Sequence, residues 1–515
     1  MSKIPLHYSQ ELLSNMRRRS FLKTIAPAVV MPSLINGLTV KAFANAPLTN
    51  QLAALQTETD RVLVLIQLNG GNDGLNTVLN IDQYANLATA RGSILIPQTA
   101  ALSLNGTTAV GLHPAMTGMQ QLYNEGKLTI VQGVSYPNPN YSHFRATDIM
   151  ASSSDANQML TTGWCGRYLE QEYPNFPVGY PNTDFPDPPA VQIGVGLPLL
   201  FQGAGANLAV TLSGTQIFDD WINGGSGTLP NTPAGHELAY LRTVAQQTQS
   251  YAGQITTAAL NITSQSPSYP AAGVNPLADQ LKLVARLIAG GLQTRIYLVS
   301  LGGFDTHATQ VVTGNTTTGS HANLLGNLSQ AIKAFMDDLG YLNIQNRVVG
   351  ATFSEFGRRI ISNGSGGTDH GSAFPMFVFG EQVAPGIVGS SPVIPANATE
   401  NDNLAMQFDF RTIYASLLKD WFCADQIAVD TALADVFLPT PVVDAPCCLA
   451  PTPVISGSST VCANGIVTYS VPAVVGDTYL WTVAGGTILS GQGTNNIQVQ
   501  WNNGAVGTVN VQQSH

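Results

Sequence analysis

Short polar clusters punctuate a chain that is otherwise apolar and poor in charge: Asn72-Asp73, Ser142-His143, Asp305-Thr306-His307, Glu355, Arg358 and Asp369-His370. Carboxylate oxygens and imidazole nitrogens are the donors of Zn²⁺ and Mn²⁺ sites, and a nearby hydroxyl or imidazole supplies a nucleophile or a proton carrier. In an extended segment residues two apart face the same side, so Asp305 and His307 can serve one ion together. Asp73, Asp305, His307, Glu355, Asp369 and His370 are the candidate metal ligands, with His113 and Asn72 as further candidates. Ser142, His143 and Arg358 are the candidate catalytic groups, and Arg145 and Arg359 are further anion clamps. Each has a plainer reading. Asp73 sits in GGNDG, where Gly, Asn and Asp also make turns; Ser142 and Asp369 suit helix caps or turns; His113 suits a buried structural role.

These clusters fall at the ends of buried strands. VLVLIQLN at Val62 to Asn69 begins as an uncharged run of mostly branched apolar residues, the mark of a parallel strand covered on both faces. LTIVQGV from Leu128, IYLVSL from Ile296, RVVGATF from Arg347 and PMFVFG to Gly380 repeat the pattern, with Val191 to Val195 as a shorter strand. Between them Pro276 to Leu292 and His321 to Leu342 carry apolar stripes at helical spacing, and weaker helices are expected at His113 to Gly126 and Phe410 to Phe422. This alternation predicts an α/β fold with a doubly wound, mostly parallel sheet, whose carboxyl edge gathers the polar clusters. Gln202 to Ser266, rich in Gly, Ser, Thr and Asn with one weak helix at His236 to Gln249, reads as an insertion or cap.

The 515 residues carry 21 Lys plus Arg against 31 Asp plus Glu, with 50 Gly and 30 Pro, a balance without the basic face that nucleic acid requires. Arg17-Arg18-Arg19-Ser20-Phe21-Leu22-Lys23, a broken apolar run to Val40 and Ala42, Ala44 and Ala46 make a twin-arginine signal with A-x-A cleavage. That predicts residues 1–46 as a removed signal, a mature protein without a transmembrane span, and a periplasmic, surface or secreted location. Residues 47–446 form the α/β domain. From Cys447 to His515 acidic and basic side chains nearly vanish and period-two runs appear at Val467, Tyr479, Ile497 and Val509, predicting a β-sandwich of residues 447–515. Cys462 with Cys447 or Cys448 is the expected disulfide, and the absence of C-x-x-C argues against a thiolate zinc site.

LNGGNDGLN, GLHPAM, YSHF, GGFDTH, FSEFGRR and TDHG, in this order between Val62 and Leu438, resemble the exported bacterial family called domain of unknown function 1501, itself similar to the alkaline phosphatase and sulfatase superfamily. The tail from Pro451 resembles PKD-like, immunoglobulin-type modules of Bacteroidetes surface proteins. The resemblance implies a metal-binding aspartate at Asp73, a hydroxyl nucleophile at Ser142, ligands at Asp305 and His307, and further ligands at Glu355 and His370. It implies one or two ions, Zn²⁺ or Mn²⁺, and a hydrolase of phosphate or sulfate esters acting on an anionic ester or a surface glycan. The superfamily's D-x-x-x-H stands here as D-x-H, and its Asp-His pair as Glu355-Phe356. That departure keeps open the alternative of a non-catalytic binding or surface-assembly protein with a decayed site.

Overall fold

The computed structural model describes residues 60–194, 197–212, 251–445, 447, 455–461, 464–473, 478–502 and 507–514. The expected signal and the expected helix at His236 to Gln249 lie outside the described residues. By their internal contacts the described residues divide into one unit ending at Cys447 and a second from Cys448 onward.

In the larger unit, nine strands form one sheet: β1 Val62–Asn69, β2 Leu128–Ser135, β3 Ala190–Ile193, β4 Ala209–Leu212, β5 Ile296–Gly302, β6 Val348–Phe353, β7 Phe374–Gly380, β8 Gly386–Val388 and β9 Phe408–Asp409. Their order is β8-β2-β7-β6-β1-β5-β3-β4, with β9 beside the end of β2. Every pairing is parallel except those of β7, which runs antiparallel between β2 and β6. The expected mostly parallel α/β sheet is thus the observed one. β1, β2, β6 and β7 are buried almost throughout, which requires cover on both faces and explains why their sequences do not alternate.

The principal helices are α1 Tyr84–Arg91, α2 Thr117–Asn124, α3 His143–Ser152, α4 Trp164–Glu172, α5 Pro276–Ala289, α6 Ser320–Tyr341, α7 Phe410–Ser416 and α8 Gln426–Leu433. α5 starts where Asn275 accepts a hydrogen bond from the Ala278 amide and Pro276 takes the first turn, a position needing no amide proton. It buries Leu277, Leu281, Val284, Leu287 and Ile288, each worth roughly 1.5–3 kcal/mol. Such burial far exceeds the cap, so the apolar stripe fixes the helix and the cap fixes its start. None of the described helices is long and apolar enough to cross a membrane.

Two expectations need correction. Residues 202–266 are not an insertion throughout, because Ala209–Leu212 extends the main sheet in parallel with β3, and residues 251–261 are helical and bury Tyr251, Ile255 and Ala258 in the core. The disulfide joins Cys447 to Cys423, which excludes the Cys447–Cys462 alternative, while Cys448 and Cys462 lie outside the described residues. It therefore closes the larger unit, with the Trp421 carbonyl and both sulfurs within reach of Arg61. Across a separation of 24 residues, its loss should cost about 3 kcal/mol by the loop-entropy relation. Cys423→Ser with Cys447→Ser should lower the melting temperature of the larger unit, and an unchanged melt with and without reductant would show the link to be energetically silent.

The second unit is all antiparallel: β10 Ile466–Ser470, β11 Thr478–Ala484, β12 Gly486–Ser490, β13 Asn496–Trp501 and β14 Thr508–Ser514, arranged as β10-β13-β12 and β11-β14. β11 and β13 bury alternate residues, as a half-solvated strand must. Tyr469, Trp481, Ile497, Val499 and Trp501 make its core, and the Trp481 indole N–H donates to the Thr494 carbonyl at 2.8 Å.

Candidate metal centre at the carboxyl edge of the sheet

The register of three neighbouring strands sets the site. Asn69 of β1 pairs with Gly302 of β5, and Gln67 pairs with Phe353 of β6, so the chain leaves all three strands at one level. Gly70, the Gly303 to Asp305 turn and Ser354-Glu355 become neighbours there. Gly70 has φ of +124°, and a Cβ on it would meet the Asp305 amide nitrogen at 2.3 Å, so this contact needs glycine. Because β7 is antiparallel, its beginning lies at the same edge, and this brings in His370 from the Gly357–Arg358/His370–Gly371 ribbon. His143 arrives at the start of α3, after the loop that follows β2.

Three imidazoles surround the Asp305 carboxylate. The Nε2 atoms of His307 and His370 lie 3.3 and 3.4 Å from its Oδ1, and Nε2 of His143 lies 3.6 Å from its Oδ2. Each ring is anchored by its other nitrogen. Nδ1 of His143 meets Glu355 Oε1 at 2.8 Å, Nδ1 of His370 meets the Tyr141 carbonyl at 2.8 Å, and Nδ1 of His307 meets Asp369 Oδ1 at 3.0 Å. His307 and His370 also face each other, Nε2 to Nε2, at 2.8 Å, a distance two ring nitrogens hold when one donates to the other. The side chains of His143, Asp305, His307 and His370 are 33, 49, 43 and 22% exposed, so a solute can reach all four.

A buried frame holds this open cluster. Glu355 is 1% exposed and also accepts from the Gly70 amide at 2.8 Å. The Phe356 ring, equally buried, packs against His143 and His370 with centroids 4.9 and 4.5 Å away. Burial works to raise the Asp305 carboxyl, but the Arg358 hydrogen bond and charge, with His307 and His143, hold it below its ordinary value. Burial dominates at His370 and lowers it, favouring the neutral ring that ligates metals. The Asn363 hydrogen bond leads in lowering Asp369.

Several sequence candidates take other roles. Arg358 does not face solvent as an anion clamp: its nitrogens reach the carbonyls of Gly70, Gly71, Phe304 and Thr368, and Nη2 donates to Asp305 Oδ1 at 2.7 Å. Arg145 donates to Ser154 and to the carbonyls of Asp155, Ala156 and Gln158, and Arg359 donates to the carbonyls of His370 and Asn401. Glu355 and Asp369 bind imidazole nitrogens from outside the cluster. Ser142 is exposed at the start of α3, and its hydroxyl is not among the groups meeting Asp305 or the imidazoles.

Asp73, Asn72 and His113 belong to a second, fully buried cluster. Asp73 Oδ2 accepts from Arg91 Nη1 and Gln310 Nε2, both at 2.6 Å, while Oδ1 has no hydrogen-bond partner. Asn72 Oδ1 meets His321 Nε2 at 3.1 Å, and the His113 and His321 rings lie edge to face. Burial pushes His113 down to about 3 and His321 to about 4, so both are neutral at pH 7. The sequence reading missed Arg91, Gln310, His321 and Phe356. Arg91 and His321 lie on helices outside the recognised motifs, and no local signal marks their partners.

Three ligand atoms of His143, Asp305 and His370 lie within 4.8 Å of one another, with no fourth protein group needed to complete the set. Two imidazoles and a carboxylate are the borderline nitrogen and oxygen donors that suit Zn²⁺ or Mn²⁺, and three protein ligands leave a coordination position for a substrate or water. Ring nitrogens tied back to oxygen acceptors are the usual support for such ligands. The donor chemistry therefore fits a divalent metal.

Residues 220–421 match the family described as "Protein of unknown function (DUF1501)", and residues 449–515 match the PKD-like domain. The DUF1501 match includes Asp305, His307, Glu355 and His370, while Asp73 and His143 precede it. No curated protein matches the chain. Similar solved structures include an alkaline phosphatase superfamily protein from Vibrio parahaemolyticus, 10% identical, covering 88% of this chain and 79% of that one at TM-score 0.31. The alkaline phosphatase of the Antarctic bacterium TAB5 is 9% identical over 64% of this chain and 94% of its own, at TM-score 0.27. A Bacteroides thetaiotaomicron protein from work on the metabolism of multiple glycosaminoglycans is 8% identical over 85% and 88%, at TM-score 0.34.

Proposed function

We propose that this protein, with its DUF1501 match, is an exported, divalent-metal-dependent hydrolase of phosphate or sulfate esters. The observation that carries the proposal is the convergence of His143, His307 and His370 through Nε2 on Asp305, each ring held from behind at Nδ1. His143, Asp305 and His370 would hold Zn²⁺ or Mn²⁺, which when bound supplies positive charge against the oxygens of an anionic ester. Glu355 fixes the orientation of His143, and the buried Arg358 locks the Asp305 carboxylate in place. His307, half-exposed and backed by Asp369, is placed to carry a proton on Nε2 toward a leaving oxygen. The Cys423–Cys447 disulfide and the twin-arginine pattern both suit an oxidising compartment outside the cytoplasm.

A second reading, a non-catalytic surface binding protein, draws on the position of Ser142: the hydroxyl that the family pattern makes a nucleophile stands outside the cluster. Metal analysis of the purified protein, followed by assays on aryl phosphate and aryl sulfate, separates the two. The hydrolase reading expects bound divalent metal and turnover that a chelator abolishes and added Zn²⁺ or Mn²⁺ restores. Bound metal without turnover on any ester of either class would favour the binding protein, and protein free of metal even after loading would overturn the metal centre.

A further inference from the structure

Resting on that reading, we infer that the chain binds one divalent ion rather than two, because the guanidinium of Arg91 already occupies the cationic role beside Asp73. Asp73 ends the glycine turn after β1, the place from which the family resemblance would draw a metal ligand. Here its carboxylate is fully buried against Arg91, itself fully buried, at 2.6 Å. Gln310 holds the same oxygen, and its own carbonyl accepts from Thr306 and Thr368, the two residues flanking the outer cluster. Arg91 is fixed from three further directions, donating to the carbonyls of Ile360 and Arg359 and to Asn76. A cation so completely held cannot swing aside for an ion. With His113 and His321 neutral, the charges of Asp73 and Arg91 cancel, so a dication added at Asp73 Oδ1 would meet repulsion from the guanidinium without a second carboxylate to offset it.

The inner and outer clusters are also walled apart. A Cβ on Gly71 would strike the Phe356 ring at 2.4 Å, and Arg358 donates to the Gly70 and Gly71 carbonyls on one side and Asp305 on the other. Aromatic ring and guanidinium thus pack against both the Gly70–Gly71 backbone that leads to Asp73 and the outer cluster.

The test is the metal-to-protein ratio of the full mature chain, loaded with excess Zn²⁺, desalted, and measured by native mass spectrometry and elemental analysis. One ion per chain is expected, and Asp73→Asn, which keeps an oxygen for Arg91, should leave that ratio at one while Asp305→Asn takes it to zero. Two ions per wild-type chain would overturn the inference while sparing the hydrolase reading. Loss of the single ion in folded Asp73→Asn protein would also overturn it, by making Asp73 a ligand. A ratio of zero for the wild type would remove the metal centre itself, and this inference with it.

Discussion

Asp305→Ala is expected to abolish divalent-metal binding and any ester turnover together, while leaving the far-ultraviolet spectrum nearly unchanged. Among the described residues Asp305 is the group that faces all three imidazole Nε2 atoms, so without it His143 and His370 must hold the ion with no carboxylate between them. Losing a partner behind a ligand typically costs 10- to 100-fold in metal affinity, the size expected for Glu355→Gln, and loss of the shared carboxylate should exceed it. The fold should survive the change with a lowered melting temperature, because Asp305 is half-exposed and the fully buried Arg358, though it loses its carboxylate partner, retains four backbone carbonyls. Competition against a chromophoric chelator gives the two affinities. Wild-type affinity in Asp305→Ala would remove the carboxylate from the site, and a loss no greater than that of Glu355→Gln would demote it to an outer partner.

The elements that carry this site were readable because parallel strands betray themselves. A strand buried on both faces is mostly apolar and carries no charge, so its end shows as the polar turn that follows, as at Asn69, at Asp305 and at Ser354-Glu355. The antiparallel β7 explains why His370, which precedes a strand, still reaches the carboxyl edge. Division of labour within the cluster was not readable. Ser142 and His143 are adjacent at a helix start, and only the packing of α3 decides which one faces Glu355. Arg358 looks like an anion clamp because its partners are carbonyls of Gly70, Gly71, Phe304 and Thr368, which leave no trace in side-chain type. Asp73 misleads for the same reason: its counter-ion lies 18 positions away on a helix without a motif. The glycine and threonine of residues 202–212 concealed an edge strand, and the cysteines of the tail drew attention from Cys423, whose partner is set by the packing around Trp421.

Arg91→Met should be the most damaging single change in the larger unit, and its damage should depend on pH with a defined sign. Both members of the pair are fully buried, and stripping one partner from such a pair typically costs about 3–5 kcal/mol because the other is left as an unpaired buried charge. In the wild type, burial tends to raise the Asp73 carboxyl, but the charge and hydrogen bond of Arg91 outweigh it and the net shift is below the ordinary 3.8. A carboxyl depressed in the folded state contributes stability that is fully present above the ordinary value and is lost as pH falls through the lower, folded one. In Arg91→Met the burial is opposed only by His321 and the Gln310 hydrogen bond, and the carboxyl rises. The folded variant then binds a proton that the unfolded chain has released, so its stability falls as pH rises past about 4. The gap between wild type and variant should therefore be widest near neutral pH and narrow toward about pH 4, where the protonated Asp73 needs no cation. Arg91→Lys, which keeps the charge but not the fork to Arg359 and Ile360, should fall between the two. Urea titrations of the three proteins across this range decide the matter: a gap independent of pH would mean that Arg91 acts through its hydrogen bonds to the Arg359–Ile360 segment, and that Asp73 does not rely on it for charge.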